Sequence, residues 1–320
     1  MPTAFVTGVT GQDGSYLIDD LVKRGYRVHG LIKPGDPSKR LLSAVIAHEG
    51  DLRDAALVKA LVLEIAPDEV YNLAGQTSVA ASWDNPADTA QTTGTTVAAI
   101  ADACWTLHES GREVRMLQAS SAEIFGLADE MPQRESTRIA PVSPYGAAKA
   151  FGQFITASYR LRGLHASTCI LYNHESPLRP ETFVTRKISA AVARISRGMQ
   201  DVVHLGNLDV SRDWGWAPDY VRAMQLAVAH HVPGDYVIGT GVLHSVRDFV
   251  VAAFAAAGIA DWEPHVVIDP AFARPVDPPR QLADNTHARE VLGWQPTVAF
   301  DELVAAMVLH DLERVNTSAD

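Results

Sequence analysis

A chain of 320 residues that is 47% hydrophobic and 20% charged is long enough for one large α/β domain with an appendage, or for two domains, and has the composition of an ordinary globule. Its net charge of −11 argues against general binding to nucleic acid or to a membrane surface, which calls for a basic face, and leaves room for an anionic ligand only where Arg and Lys cluster locally. The two cysteines, Cys104 and Cys169, lie in apolar stretches without C-x-x-C spacing, which excludes a disulfide framework and reads as buried thiols. The opening MPTAFVTGVTGQDG has no charged segment leading into an apolar one, and no apolar run reaches about 18 residues, so a reducing, cytoplasmic setting is expected.

Thr3–Thr7 is a short β-rich run that meets glycines at once. Tyr16–Lys23 has helical periodicity, with Leu17, Leu21 and Val22 on one face and Gly25 as the stop. Tyr26–Ile32 reads as the next strand, and Glu69–Gly75, Val114–Ser121 and Ala166–Asn173 as later ones, with helices at Thr89–His108 and Pro144–Arg162. Strand alternating with helix predicts an α/β fold, a parallel sheet covered on both faces. Beyond residue 175 the proline-rich segments SPLRP and PAFARPVDPPRQ bracket helices at Val184–Arg197, Asp219–His230 and Val246–Gly258 and a strand at Tyr236–Gly241. The expected division is a dinucleotide-binding domain over 1–175, rejoined by the chain near 205–240, and a smaller mixed α/β substrate domain over 176–320.

Gly8, Gly11 and Gly14 follow the first strand and open the first helix, where glycines permit a tight turn and a pyrophosphate can sit on the helix N-terminus. This Rossmann-type placement assigns Gly8, Thr10, Gly11, Gln12, Asp13 and Gly14 to a dinucleotide; the bland alternative is a tight turn that holds nothing. An acid at the end of the second strand would favour NAD; Lys33 stands there, with Lys39 and Arg40 beyond, which favours the 2′-phosphate of NADP. Asp51, with Leu52, is expected near the adenine or as a helix N-cap. In SPYGAAK, Ser143 can cap a helix and Pro144 suits its first turn, while the i, i+4 spacing puts Tyr145 and Lys149 on one face. An ammonium there favours phenolate, making Tyr145 an acid or base for a hydroxyl undergoing oxidation or reduction.

The glycine loop, ASSAEIFG and Y-x-x-x-K, in that order, resemble the extended short-chain dehydrogenase/reductase family. TGQDGSYL, NHESPLRPETFVTRKI, LGNLDVSRDWGWAPDYV and HSVRDFV resemble, within it, the GDP-mannose 4,6-dehydratases over most of the chain. That resemblance implies a Rossmann-type fold and a nucleotide-sugar 4,6-dehydratase acting through NADP. Tyr145 would take the C4 hydroxyl proton, Ser121 would bond the C4 oxygen, and Glu123 would take the C5 proton as water leaves C6. Some related sugar dehydratases carry an Asp before the glutamate; Ala122 stands here, so Glu123 acts alone or another group protonates the departing hydroxyl. The resemblance also places Leu73, Ala74 and Gln76 by the cofactor with His174 and Arg179, Ser82 at the sugar, Asn173 at the diphosphate and Lys187 at the nucleotide. Arg212 and Arg274 are the candidates for a diphosphate clamp, because a guanidinium is a rigid fork of donors. His174 could instead be a structural histidine, and each arginine a salt-bridge partner. Departures are Lys33-Pro34 in place of two arginines, the short loop after it, Thr77-Ser78, Asp88, Leu178 and Pro180. A homodimer is expected, with a tetramer left open; no metal is called for. The competing readings are a 4-reductase or epimerase on a sugar nucleotide, most of which need no C5 base, and a cofactor-binding scaffold without catalysis.

Overall fold

The computed structural model describes residues 1–36, 44–272 and 276–317. Lys39, Arg40 and Arg274 lie outside the described residues.

The first half alternates as its periodicity predicts: β1 (Thr3–Thr7), α1 (Gln12–Lys23), β2 (Arg27–Ile32), β3 (Val45–Glu49), α2 (Ala55–Ile65), β4 (Glu69–Asn72), the short α3 (Ala81–Asp84) and α4 (Pro86–Thr89), α5 (Thr96–Glu109), β5 (Arg115–Ser121), α6 (Pro144–Leu161) and β6 (His165–Leu171). β3 carries no alternating apolar pattern, and the sequence reading missed it. The helix expected over Thr89–His108 is continuous in space but changes winding, with a π-helical stretch at Ala90–Thr95 before α5. The strand expected over Ala166–Asn173 ends at Leu171, and a separate β7 (Asn173–Glu175) follows.

The second half contributes α7 (Val184–Ser196), β8 (Val203–Leu205), β9 (Ser211–Arg212), β10 (Trp214–Trp216), α8 (Ala217–Ala229), β11 (Asp235–Ile238), β12 (His244–Ser245), α9 (Val246–Ala256), β13 (Val266–Ile268), β14 (Arg280–Gln281), α10 (Thr286–Leu292) and α11 (Phe300–Thr317). The main sheet has seven parallel strands in the order β3-β2-β1-β4-β5-β6-β11. That is the doubly wound order, with its switch point between β1 and β4, where ligands bind at the carboxyl ends of the strands.

One apolar cluster fills the sheet face under α1 and α8, including Leu17, Leu21, Tyr220 and Met224. A second fills the opposite face under α2 and α5, with Val58, Val62, Ile100 and Cys104. A third core is built by α7, α9 and α11 around Ile188, Phe249, Phe254, Val304 and Met307. The chain rejoins the large sheet at Tyr220–Ile238 and again at Ala283–Trp294, whereas Val203, Leu205, Leu208 and Trp214 line the third core. Within this third unit, Arg186 of α7 and Asp311 of α11 form a buried ion pair that Ser189 completes. Both cysteines are buried, and burial pushes the Cys104 thiol up to about 12. Among the described residues no helix is long and apolar enough to cross a membrane, and no group of three or more His, Cys, Asp or Glu is arranged for a metal.

Candidate active site

The cleft lies where the glycine loop, the end of β5 and the N-terminus of α6 meet. Gly8 has a φ of 75°, and a Cβ there would stand 2.9 Å from the Ala74 nitrogen. A Cβ on Gly14 would stand 2.2 Å from the Gly8 carbonyl oxygen, so only glycine lets α1 start this close to the loop. Gly11 is the N-cap of α1 and donates its amide to the Gly8 carbonyl at 3.0 Å. The result is a cradle of bare backbone at a helix N-terminus, which fits a dinucleotide pyrophosphate.

The side chains behind the cradle are committed to the protein. Gln12 donates to the His174 carbonyl at 3.1 Å and accepts from Ser176 at 2.8 Å. Asp13 meets the Nε2 of His174 at 2.9 Å, and the Nδ1 of His174 meets the Tyr172 carbonyl at 2.8 Å. Two acceptors face the two ring nitrogens, so the imidazole is held as a cation between them. Burial opposes both charges, yet each raises the other's ionisation: Asp13 is held below the usual carboxylate range and His174 above the usual imidazole range. The Gln12, Asp13 and His174 side chains thus hold one another and their neighbours, as the structural reading of His174 allowed. They lock the first turn of α1 to β7, and what they leave for a ligand is backbone.

At the other end of the cleft, Ser143 caps α6 by accepting from the Gly146 amide at 3.0 Å, with Pro144 in the first turn. Tyr145 and Lys149 are both buried on the face of α6 toward β5. The Lys149 ammonium donates to the Ala119 carbonyl at 2.8 Å and lies 5.8 Å from the centre of the Tyr145 ring. The expected drop in the Tyr145 pKa does not occur. Burial pushes the phenol up to about 12, a hydrogen bond with Ser121 pulls it partly back, and the Glu123 carboxylate pushes it further up. Burial likewise brings Lys149 down to about 8. Desolvation outweighs the i, i+4 attraction because the ammonium is turned to a backbone carbonyl.

Glu123 sits in a single 3₁₀ turn, Ala122–Ile124, that Ser121 caps by accepting from the Glu123 amide at 3.3 Å. Gly146 brings this turn against α6: a Cβ there would be 2.5 Å from the Glu123 carbonyl oxygen. Ser121, Glu123, Tyr145 and Lys149 thus converge on one spot. Arg179 is part of the same field, since its charge lowers the pKa of both Tyr145 and Asp13. It also pairs with the buried Glu175 at 3.3 Å and covers the Phe183 ring.

The remaining expected residues are more scattered. Ser82 is fully buried; its hydroxyl donates to the Val79 carbonyl and accepts from the Tyr145 amide at 3.3 Å, so it supports the base of α6 rather than facing a sugar. Gln76 folds its side chain back onto the Thr77 and Ser78 amides. Asp51 does not cap α2, because Asp54 does so by accepting from the Leu57 amide. Asp51 pairs instead with Arg53, which holds it at about 2 and also reaches Asp88 at 3.0 Å. Arg53 was missed in the sequence; its position two residues past Asp51 was the available signal. Lys33 is exposed at the end of β2, near enough to Asp51 to add to the lowering of its pKa. Leu73 is half-buried against the main core, and Leu52 takes a hydrogen bond from Thr96 on its carbonyl. Asn173 lies in β7 opposite Trp214. Lys187 stands over the Phe272 ring at 3.4 Å, and burial lowers its pKa. Arg212 is buried and paired with Asp277.

A family model described as GDP-mannose 4,6 dehydratase matches residues 5–307. The chain is 42% identical to GDP-mannose 4,6 dehydratase 1 of Arabidopsis thaliana, over 97% of this chain and 90% of that protein. It is 39% identical to the human GDP-mannose 4,6 dehydratase, over 98% and 92%. Among solved structures, UDP-glucose 4-epimerase of Thermotoga maritima superposes with a TM-score of 0.86 at 24% identity, over 98% of this chain and 99% of that one, which bears on the fold alone. UDP-glucose 4-epimerase of Thermus thermophilus in complex with NAD gives 0.84 at 26%, over 97% and 98%. With the glycine cradle, the Tyr145–Lys149 pair and Glu123 around one cleft, and relatives matched over nearly the full length, the chain belongs to the GDP-mannose 4,6-dehydratase family.

Proposed function

We propose that this chain converts GDP-mannose to its 4-keto-6-deoxy product with NADP in the glycine cradle. The observation that carries the reading is Glu123 beside Tyr145 and Ser121. A carboxylate at that point has work to do in abstracting a proton from carbon, and a 4-reductase acting on a ketone has none for it. With its pyrophosphate held by the backbone of Gly8, Gly11 and Gly14, NADP would supply the acceptor for the C4 hydride and its donor to C6.

Every other step falls to the protein. The Tyr145–Lys149 pair takes the C4 hydroxyl proton while the Ser121 hydroxyl donates to the C4 oxygen. The resulting 4-ketone acidifies C5–H, and Glu123 removes that proton as the C6 hydroxyl departs. The methyl group of Ala122 is buried and brings no second acid, so Glu123 hands its proton to the leaving oxygen and water is released. Reduction at C6 leaves C5 to be protonated; the proton that the Tyr145–Lys149 pair took from the C4 hydroxyl is the one that remains for it, so pair and carboxylate end as they began. Oxidation at C4 and reduction at C6 balance, so no external oxidant is consumed.

Lys33 at the end of β2, where an acid would select NAD, supports NADP. The third core, reached by the chain after residue 183, supports a substrate unit that closes over the nucleotide. Phe151 and Phe154 are exposed one turn apart on α6, and Trp83 is exposed on α3, which packs against α6; this supports a homodimer through that face. The buried thiols fit a reducing cytoplasm. The test is incubation with GDP-mannose and NADP: a 4-keto-6-deoxy sugar nucleotide forms without net NADPH. Accumulation of NADPH in step with turnover would overturn the dehydratase reading.

A further inference from the structure

The carboxyl ends of β1, β4 and β5 carry a line of buried polar side chains that the mechanism above leaves without a task. Thr7, Asn72 and Gln118 are level with one another in the sheet register, Thr7 opposite Asn72 and Asn72 opposite Gln118. All three are almost fully buried. The Thr7 hydroxyl donates to Oδ1 of Asn72 at 2.7 Å, Nδ2 of Asn72 to Oε1 of Gln118 at 2.7 Å, and Nε2 of Gln118 to the main-chain carbonyl of Ala119 at 2.8 Å. Lys149 donates to that same carbonyl at 2.8 Å.

The geometry points to a purpose. The β4–β5 ladder stops at the Asn72–Gln118 pair, so the Ala119 carbonyl lies one residue past it and is given over to side-chain donors. A carbonyl oxygen has two lone pairs. Gln118 occupies one direction and leaves one for the ammonium. At its other end the line is anchored in the cofactor cradle: Thr7 immediately precedes Gly8 and accepts from the Ala74 amide at 3.1 Å, and Ala74 is the residue whose nitrogen packs against Gly8. Fold stability does not demand such a line, since a matched apolar set would fill a parallel sheet at least as well.

We propose that Thr7, Asn72 and Gln118 are positioning residues that fix the Lys149 ammonium at the Ala119 carbonyl and tie its place to that of the glycine loop. They touch neither substrate nor cofactor. The inference rests on the acid–base role given above to the Tyr145–Lys149 pair. If wild-type protein with NADP forms no product from GDP-mannose, that role fails; if it turns over and the variants below behave as wild type, this inference alone fails.

The test substitutes shape-matched apolar groups and reads the pH profile of kcat/KM together with the NADP dissociation constant. With Gln118→Met the ammonium loses its fixed place at the carbonyl, the charged form of the pair is held less well, and the acid limb moves to lower pH by about half a unit or more with roughly tenfold loss of kcat. Thr7→Val should shift the limb the same way and also weaken NADP binding several-fold, because it releases Ala74, while Thr7→Ser keeps the hydroxyl and restores both. An unmoved limb in a folded Gln118→Met protein overturns the proposal. Should that protein fail to fold, equal limbs and equal NADP affinities in Thr7→Val and Thr7→Ser overturn it as well.

Discussion

Replacing Lys149 by methionine keeps the length and burial of the side chain and removes its charge and donors. In the native cleft the pair gives up its first proton near the Lys149 value of about 8, and the remaining proton is shared between phenol and amine. The pair is then a base whichever atom holds that proton. Without the amine the only titrating group is Tyr145, at about 12. A base must be unprotonated, so activity is lost as pH falls below its pKa, tenfold per unit. At a fixed pH below both values, the gap between about 8 and about 12 leaves roughly 10⁴-fold less base. A more basic oxygen is also a better proton acceptor, which offsets part of the deficit and leaves a loss of about 10²–10³ in kcat/KM near neutrality. Product formation from GDP-mannose, followed over pH roughly 6 to 10, should show a wild-type limb near 8 and a variant rate that climbs throughout with unit slope. A Lys149→Met protein with a wild-type limb would refute the reasoning, because the limb would then belong to another group.

Two further outcomes are expected. Glu123→Gln should retain NADP binding but lose product formation by about 10³-fold or more, together with exchange of the C5 proton in deuterated water; normal release of water would move the elimination to another residue. Gly146→Ala puts a methyl where the Glu123 carbonyl oxygen stands 2.5 Å away, so α6 or the 3₁₀ turn must shift. We expect a loss of about 1–3 kcal/mol in denaturant unfolding and a fall in kcat out of proportion to any change in KM; wild-type kinetics in that variant would mean that the spacing of Tyr145 and Glu123 is not critical.

What could be read in the sequence was what neighbours in the chain decide. The glycine loop, the Ser143-Pro144 start of α6 and the Tyr145–Lys149 spacing are local patterns, and the helix and strand periods around them set the doubly wound order. The electrostatics of the pair were misjudged for the same reason. An i, i+4 spacing says that two side chains share a helix face, but not how deeply that face is buried, and here burial outweighs the attraction for both groups. Asp51 reads in the sequence as a possible helix cap, and only the backbone path gives that place to Asp54. The pairing of Arg212 with Asp277 could not be read either, because the two are 65 residues apart in the chain.

The polar line across the sheet marks the limit most clearly. Thr7, Asn72 and Gln118 each look unremarkable at the end of its own strand, and they meet only because β4 lies between β1 and β5 and the three strands are in that register. The strand order puts the cofactor loop at one end of this line and the ammonium at the other. Any displacement of β4 along its neighbours by a single residue would break both hydrogen bonds of Asn72 and turn its side chain to the opposite face. The position of the proton-transfer pair relative to the cradle is therefore a property of sheet register, which is why it resists being read from either motif alone.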